Sequence, residues 1–468
     1  MLLFFYRCII LTLIYDKFFI HMKDILIKNV KIVNEGKISH GDLLISKGRI
    51  EKIASEIEHS NYNNATIFEG KNRYLIPGMI DDQVHFREPG FAHKGTIADE
   101  SAAAVAGGIT SFMEMPNVNP LTITHETLAD KFNLAKNKSL ANYSFYLGAS
   151  NDNIEVIKSL HPHDACGVKV FMGASTGNML VDNQQTLEQI FKYSPILVAT
   201  HCEDTPTIIK NEQLFRERYH DDVPVTAHPL IRSHEACYLS SSLAVELAKK
   251  HGTQLHILHL TTAKELELFN SQPLSQKSIT AEVCVHHLYF NETDYETKGN
   301  LIKCNPAIKS QSDQQALLSA LRDKKIDIIA TDHAPHTMEE KMQSYLKAPS
   351  GLPLVQHALP ALFELIQQKK LDIFTVVEGT SHRVAERFQL KERGYIREGY
   401  HADLTLVDNQ KPLMVINEAA LSKCGWSPFA GEKLAASIAA TWVNGILKWD
   451  GRNIVNNIHG EKLDFTRD

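Results

Sequence analysis

The chain has no Cys-x-x-Cys pair, no block of Lys or Arg longer than two, no low-complexity tract and no unbroken apolar run long enough to cross a bilayer. Each absence removes a class of protein. A spanning helix needs about 20 apolar residues, and none is present. Net charge is −6, so neither nucleic acid nor an anionic membrane is the expected partner. The seven cysteines (Cys8, Cys166, Cys202, Cys237, Cys284, Cys304, Cys424) are odd in number and widely spaced. That pattern points to reduced thiols in the cytoplasm rather than a disulfide framework. Cys202 follows His201 directly, and neighbouring strand residues face opposite ways, so Cys202 reads as a packing thiol.

What remains is globular: 43% hydrophobic and 22% charged over 468 residues. Residues 1–21 are apolar and aromatic but broken by Asp16 and Lys17, with no small-residue cleavage site. The expectation is that Met22 is the start and that 1–21 is an N-terminal extension produced by start-site misassignment. Residues 22–77 alternate apolar and polar between Gly and Asn, as antiparallel strands do. The segment 386–468 has the same texture. Together they are expected to form one split β-sandwich domain.

Residues 78–385 alternate apolar runs with helical stretches. Eight strands are expected at Met79–His85, Ile109–Met115, Tyr143–Gly148, Val168–Phe171, Ile196–His201, Gln254–Leu260, Ile279–Val285 and Ile326–Thr331. Helices are expected at Ser101–Ala106, Glu126–Lys136, Thr186–Lys192, His234–Lys250 and Gln314–Arg322. Eight such units make an α/β chain with a (β/α)8 TIM-type barrel, whose active site lies at the C-terminal strand ends.

His85, His201, His259 and Asp332 fall at those ends, on strands one, five, six and eight. Imidazole nitrogen and carboxylate oxygen are zinc donors, and a catalytic site keeps one position for water. Lys169, on strand four, is no ligand as an ammonium. A desolvated lysine loses its proton more readily, and CO2 can then convert it to a carbamate with two donor oxygens. The constellation reads as a metal-dependent hydrolase with one or two Zn2+ ions. His286 and His287, ending strand seven, read as structural. The hydrophilic stretch Thr337–Pro349 reads as a loop over the site.

Several motifs carry a family resemblance: Pro77 to Gly90 (with His85-Phe86-Arg87-Glu88-Pro89-Gly90), Met115-Pro116-Asn117, Lys169-Val170-Phe171-Met172, Thr200-His201-Cys202-Glu203-Asp204, His256 to Leu260, Asn305-Pro306, and Asp332-His333-Ala334-Pro335-His336. From Met22 onward the chain resembles the amidohydrolase superfamily and, within it, the dihydroorotases. The resemblance implies reversible zinc-dependent hydrolysis of dihydroorotate to N-carbamoyl-aspartate in de novo pyrimidine biosynthesis. It implies zinc ligation by His85, Lys169 as carbamate, His201, His259 and Asp332. It assigns the substrate carboxylate to Arg87, Asn117 and His336, the pyrimidine ring to Asn305 and the Ser350–Gly351 backbone, and acid–base catalysis to Asp332. It also implies a homo-oligomer, with aspartate transcarbamoylase a further partner. One departure stands out. The family's first strand carries His-x-His, whereas this chain has Gln83-Val84-His85, and an amide oxygen is a weaker donor than imidazole.

Two other readings compete. Lys169-Val170-Phe171-Met172 is similar to hydantoinases and dihydropyrimidinases, which open related rings. Those enzymes lack the Arg87-type carboxylate clamp and carry a Tyr soon after the lysine, whereas Met172–Gly177 here has none. The other is an inactive dihydroorotase homologue that scaffolds aspartate transcarbamoylase, supported by Gln83 alone.

Overall fold

The computed structural model describes residues 23–173 and 179–467. The N-terminal extension and residues 174–178 therefore lie outside the described residues. Eight parallel strands form the centre: β1 Met79–Val84, β2 Ile109–Glu114, β3 Asn142–Phe145 continued by Leu147–Gly148, β4 Val168–Phe171, β5 Val198–His201, β6 Leu255–Ile257, β7 Ile279–Cys284 and β8 Ile328–Ala330. Nearly every residue in them is buried, as expected for a parallel sheet covered on both faces. β1, β2 and β3 pair as one arc, and the second half of β3 through β8 as another. The His85 amide donates to the His333 carbonyl at 2.7 Å, joining the end of β8 to the end of β1 and closing the ring. This is the expected (β/α)8 barrel.

The expected helices are present, several of them longer than the apolar periodicity implied. They run Ile97–Ala106, His125–Lys136, Gln184–Tyr193, His234–His251 and Gln311–Arg322. The added N-terminal residues begin at side-chain caps. Thr96, Thr124, Asn183 and Ser310 each accept a backbone N–H from the first turn, which stabilises a helix start by about 1 kcal/mol. Gly252 ends His234–His251 at φ +70°, the left-handed C-terminal position that glycine adopts without strain.

The N- and C-terminal segments meet as one continuous sheet of eight strands. Leu404–Asp408 joins them by pairing antiparallel with both Tyr74–Pro77 and Ser437–Val443. Ile27, Val30, Leu43, Leu404, Leu406 and Trp442 form its core. Thr405 Oγ1 donates to Gly108 O at 2.8 Å, tying this sheet to the start of β2. Among the described residues no helix is long and apolar enough to cross a membrane. The six described cysteines are free thiols, five of them buried.

Candidate active site

A cavity of about 210 Å3 opens at the C-terminal ends of the strands, and every residue expected to hold metal or substrate lines it, whereas Cys202, His286 and His287 do not. From β1 and the loop after it come Gln83, His85 and Arg87. β2 leads to Asn117, β4 carries Lys169, β5 ends in His201, and the chain after β6 reaches His259. Asn305 follows β7; Asp332, His336, Ser350 and Gly351 follow β8. A larger cavity of about 770 Å3 lies at the opposite strand ends. Its arginines are committed elsewhere: Arg387 to Gln254 and the carbonyls of Leu255 and Ser278, Arg393 to Asp403, Arg397 to Glu35, and Arg467 to the carbonyls of Pro162, Ala165, Cys166 and Phe388. It offers no arrangement for hydrolysis, so the smaller cavity is the candidate site.

Three of the site residues have left-handed backbones: Arg87 at φ +70°, His259 at +40° and Asp332 at +50°. Such conformations cost a non-glycine residue roughly 1–3 kcal/mol, and buried hydrogen bonds hold them. The His259 amide donates to Glu282 Oε1 at 3.0 Å. The Phe86 amide, just before Arg87, donates to Glu114 Oε1 at 3.0 Å, and Lys131 sits 2.8 Å from the other Glu114 oxygen. Next to Asp332, Thr331 donates to Asp81 through both Oγ1 (2.6 Å) and backbone N (3.1 Å).

Electrostatics prepare the histidines for ligation. Burial pushes His85, His201 and His259 below the ordinary imidazole range, and only the neutral ring offers a lone pair. His201 Nε2 lies 2.9 Å from Glu203 Oε2. Despite its burial, Glu203 is pulled down to about 2 by Arg232 and His201. The anionic Glu203 accepts a hydrogen bond from the His201 Nε2–H, which leaves the lone pair on Nδ1, facing His259 Nε2 at 3.0 Å. In metal sites a carboxylate–histidine pair of this kind orients the ligating imidazole. His85 Nδ1 lies 2.8 Å from Asn117 Oδ1, and its Nε2 lies 3.1 Å from Asp332 Oδ1. If Nδ1 donates to Asn117, the Nε2 lone pair opposes a carboxylate, an arrangement that a cation between them relieves. Burial lowers Lys169 to about 8, favouring the neutral amine, the form whose lone pair can attack CO2. His259 Nδ1 is buried without a partner among the described residues. These donors fit a divalent ion; His85, Lys169, His201, His259 and Asp332 would hold it.

Gln83 behaves differently from an imidazole. Its Nε2 donates to Asp332 Oδ1 at 3.2 Å, and its Oε1 lies 3.9 Å from Cys284 Sγ. The amide orients Asp332. Gln83→His is expected to tighten metal binding by about 10–100-fold, read by competition with a chelator. An unchanged affinity would show that position 83 does not reach the ion.

Further supports were invisible in the sequence. Arg232 lies far from Glu203 in the chain. Lys94 Nζ is 3.1 Å from His336 Nδ1 and 2.9 Å from Glu340. Beneath the site, His256 Nε2 lies 3.2 Å from Asp82 and 3.4 Å from Glu282. Burial opposes its charge, yet the two carboxylates hold His256 protonated up to about 9. Glu203 and His256 stand inside the motifs quoted above, and their closeness to His201 and His259 was the available signal. The loop Thr337–Pro349 borders the cavity at Pro349. Lys341 pins it through the carbonyls of Lys303, Pro349 and Gly351 at 2.9–3.1 Å.

The amidohydrolase family model matches residues 74–447. A dihydroorotase of Carboxydothermus hydrogenoformans is 33% identical over 429 residues, covering 90% of this chain and 96% of that protein. A dihydroorotase of Methanosarcina mazei is 31% identical over 423 residues, covering 88% and 91%. Among solved structures, an L-hydantoinase (dihydropyrimidinase) from Arthrobacter aurescens superposes with a TM-score of 0.88 at 22% identity, covering 95% of this chain and all of that one. A dihydropyrimidinase from Brevibacillus agri gives 0.85, also at 22%, covering 95% of this chain and 100% of that one. At that identity the structural likeness speaks to the fold alone. The match over most of the chain and the barrel site lead to one conclusion: this chain belongs to the amidohydrolase family and is a cyclic amidohydrolase.

Proposed function

We propose that the chain is a dihydroorotase, hydrolysing dihydroorotate to N-carbamoyl-aspartate and closing the ring in the biosynthetic direction of pyrimidine synthesis. The observation that carries this reading is Arg87. Arg87 is only 9% exposed and lines the cavity, yet among the described residues no carboxylate lies within salt-bridge distance of its guanidinium. It is held by the Pro335 carbonyl and His336, each at 3.0 Å. A buried cation without a counterion is costly, and a substrate carboxylate supplies the missing charge through a two-pronged hydrogen bond. His336 adds to this. Lys94 and Arg87 both offer donors to its ring, and burial, Arg87 and Lys94 keep that ring neutral. A neutral imidazole has one acceptor nitrogen, so one donor is left over for an anion. Dihydroorotate carries that anion; dihydrouracil and hydantoin do not.

In this reading Arg87, His336 and Asn117 take the carboxylate. Asn305, whose Oδ1 is buried without a partner among the described residues, meets the ring N–H, and the Ser350–Gly351 backbone meets the ring edge. A divalent ion, zinc by this reading, held by His85, carbamylated Lys169, His201, His259 and Asp332, supplies Lewis acidity and lowers the pKa of water towards ~7. Asp332 takes the proton from the attacking water and delivers it to the ring nitrogen as the amide C–N bond breaks. Gln83 keeps the Asp332 carboxylate aimed. The reading also places the enzyme in the cytoplasm as a homo-oligomer.

Turnover by the purified, zinc-supplemented protein tests it. The expected kcat/KM for dihydroorotate exceeds those for dihydrouracil and hydantoin by about 10²–10⁴, because a buried charge left unpaired rejects neutral rings. Preference for a neutral ring would identify a hydantoinase instead. No turnover of any of the three would favour a scaffold for aspartate transcarbamoylase. Lys169→Ala is expected to lose at least about 10²-fold in activity together with bound metal, with partial rescue by acetate or propionate, whose carboxylates replace the carbamate oxygens. Retained activity and metal in Lys169→Ala would remove the carbamate from the account.

A further inference from the structure

At the end of β7, Cys284, His286 and His287 present three metal-donor atoms that all lie within 4.8 Å of one another, and all three residues are buried. The short helix Val285–Tyr289 starts directly after Cys284 and turns both imidazoles back towards it. Their hydrogen bonding is conspicuously incomplete. Among the described residues, neither ring nitrogen of His286 nor Nδ1 of His287 has a partner in hydrogen-bonding geometry, although the Thr331 backbone acts on the His286 ring, and all three are buried. Buried polar atoms are bonded in the great majority of cases, so three such nitrogens on adjacent side chains indicate a missing partner.

The chemistry of that partner follows from His287. Its Nε2 lies 3.1 Å from the Pro306 carbonyl, which can only accept, so Nε2 carries the proton and Nδ1 presents a lone pair. A ring whose second N–H is donated to a backbone carbonyl is the usual setting of a metal-ligating histidine. Two imidazole nitrogens and a thiolate suit zinc. Neighbouring ligands of one tetrahedral zinc ion lie about 3.3–3.8 Å apart, so the three atoms close onto an ion through small side-chain rotations. Gln83 Oε1, 3.9 Å from Cys284 Sγ, links the cluster to the cavity that Gln83 lines. Cys304 is excluded as the sulfur donor. It faces the protonated side of His287, with Sγ 3.8 Å from Nε2, and donates to Pro306 O at 3.2 Å.

We propose that Cys284, His286 and His287 form a zinc site of their own, separate from the residues grouped around His201 and His259. On binding, the Cys284 thiol proton passes to solvent as the sulfur–metal bond forms. The ion fixes the end of β7 to the following helix and holds the floor against which Gln83 and, through it, Asp332 rest.

Cobalt substitution tests this without reference to activity. The other proposed ligand set contains no sulfur, so a thiolate-to-cobalt charge-transfer band in the near ultraviolet reports only a cysteine-bound ion. The full chain, stripped by chelator and reloaded with Co2+, is expected to show the band. Cys284→Ala is expected to lose it along with one ion per chain. Cys202→Ala and Cys304→Ala are expected to keep it. His287→Gln, which leaves the thiol in place, shifts or abolishes it and serves if Cys284→Ala fails to fold. Absence of the band in the cobalt-loaded wild type, or its persistence in Cys284→Ala, overturns the proposal.

Discussion

Asp332→Asn is expected to lower kcat for dihydroorotate by about 10²–10⁴-fold, the range a positioned proton carrier contributes, with little change in fold stability. The substitution keeps the side chain's shape. The amide oxygen can still accept from Gln83 Nε2, now 3.2 Å from Oδ1, and the Asp81–Thr331 hydrogen bonds that fix the neighbouring backbone are untouched. What disappears is the group that takes a proton from water and returns it to nitrogen, together with one anionic ligand beside His85. Steady-state kinetics with a metal analysis on the same preparation separates the two losses. If metal content holds and kcat falls, the proton role accounts for the effect. A change confined to KM would contradict the assignment of Asp332.

The second large effect is expected at Arg87. Arg87→Met should lower kcat/KM for dihydroorotate by about 10²–10³-fold, corresponding to about 3–4 kcal/mol for a buried charge pair that loses one partner. Turnover of neutral rings should be little affected, so the preference for dihydroorotate should shrink by the same factor. Arg87→Lys keeps the charge but loses the planar fork, and its main effect is expected as a raised KM. The comparison is informative because the left-handed backbone at Arg87 is held by Glu114 through the Phe86 amide, not by the Arg87 side chain. An Arg87→Met enzyme with unchanged KM and kcat for dihydroorotate would take the carboxylate clamp out of the site.

Much of this was legible in the sequence because the barrel makes it so. Strands buried on both faces are largely apolar, so Ile328–Ala330 or Ile196–Ala199 stand out, and a polar residue at the end of such a run has few reasons to be there other than chemistry. His85, His201, His259 and Asp332 were found in that way. The N-terminal turns of helices were less visible, since capping by Thr96 or Ser310 depends on polar residues that break the apolar period. Strict alternation along a strand failed at β1. Its pairing with β2 shifts register between Asp81 and Val84, and adjacent residues both reach groups inside the barrel: Asp82 meets His256, while Gln83 lines the cavity. The supporting charges were the least legible. Arg232 reaches Glu203 and Lys131 reaches Glu114 across the folded chain, and no local spacing announces such pairs.

The account rests on a divalent ion shared by donors from five different strands. Anomalous diffraction from crystals of the zinc-loaded protein, recorded at the zinc absorption edge, tests that most directly. The predicted result is a peak in the cavity within bonding distance of His201 Nδ1 and His259 Nε2, with continuous density joining Lys169 Nζ to a carboxylate. A cavity without any anomalous peak, in crystals whose protein hydrolyses dihydroorotate, would contradict it.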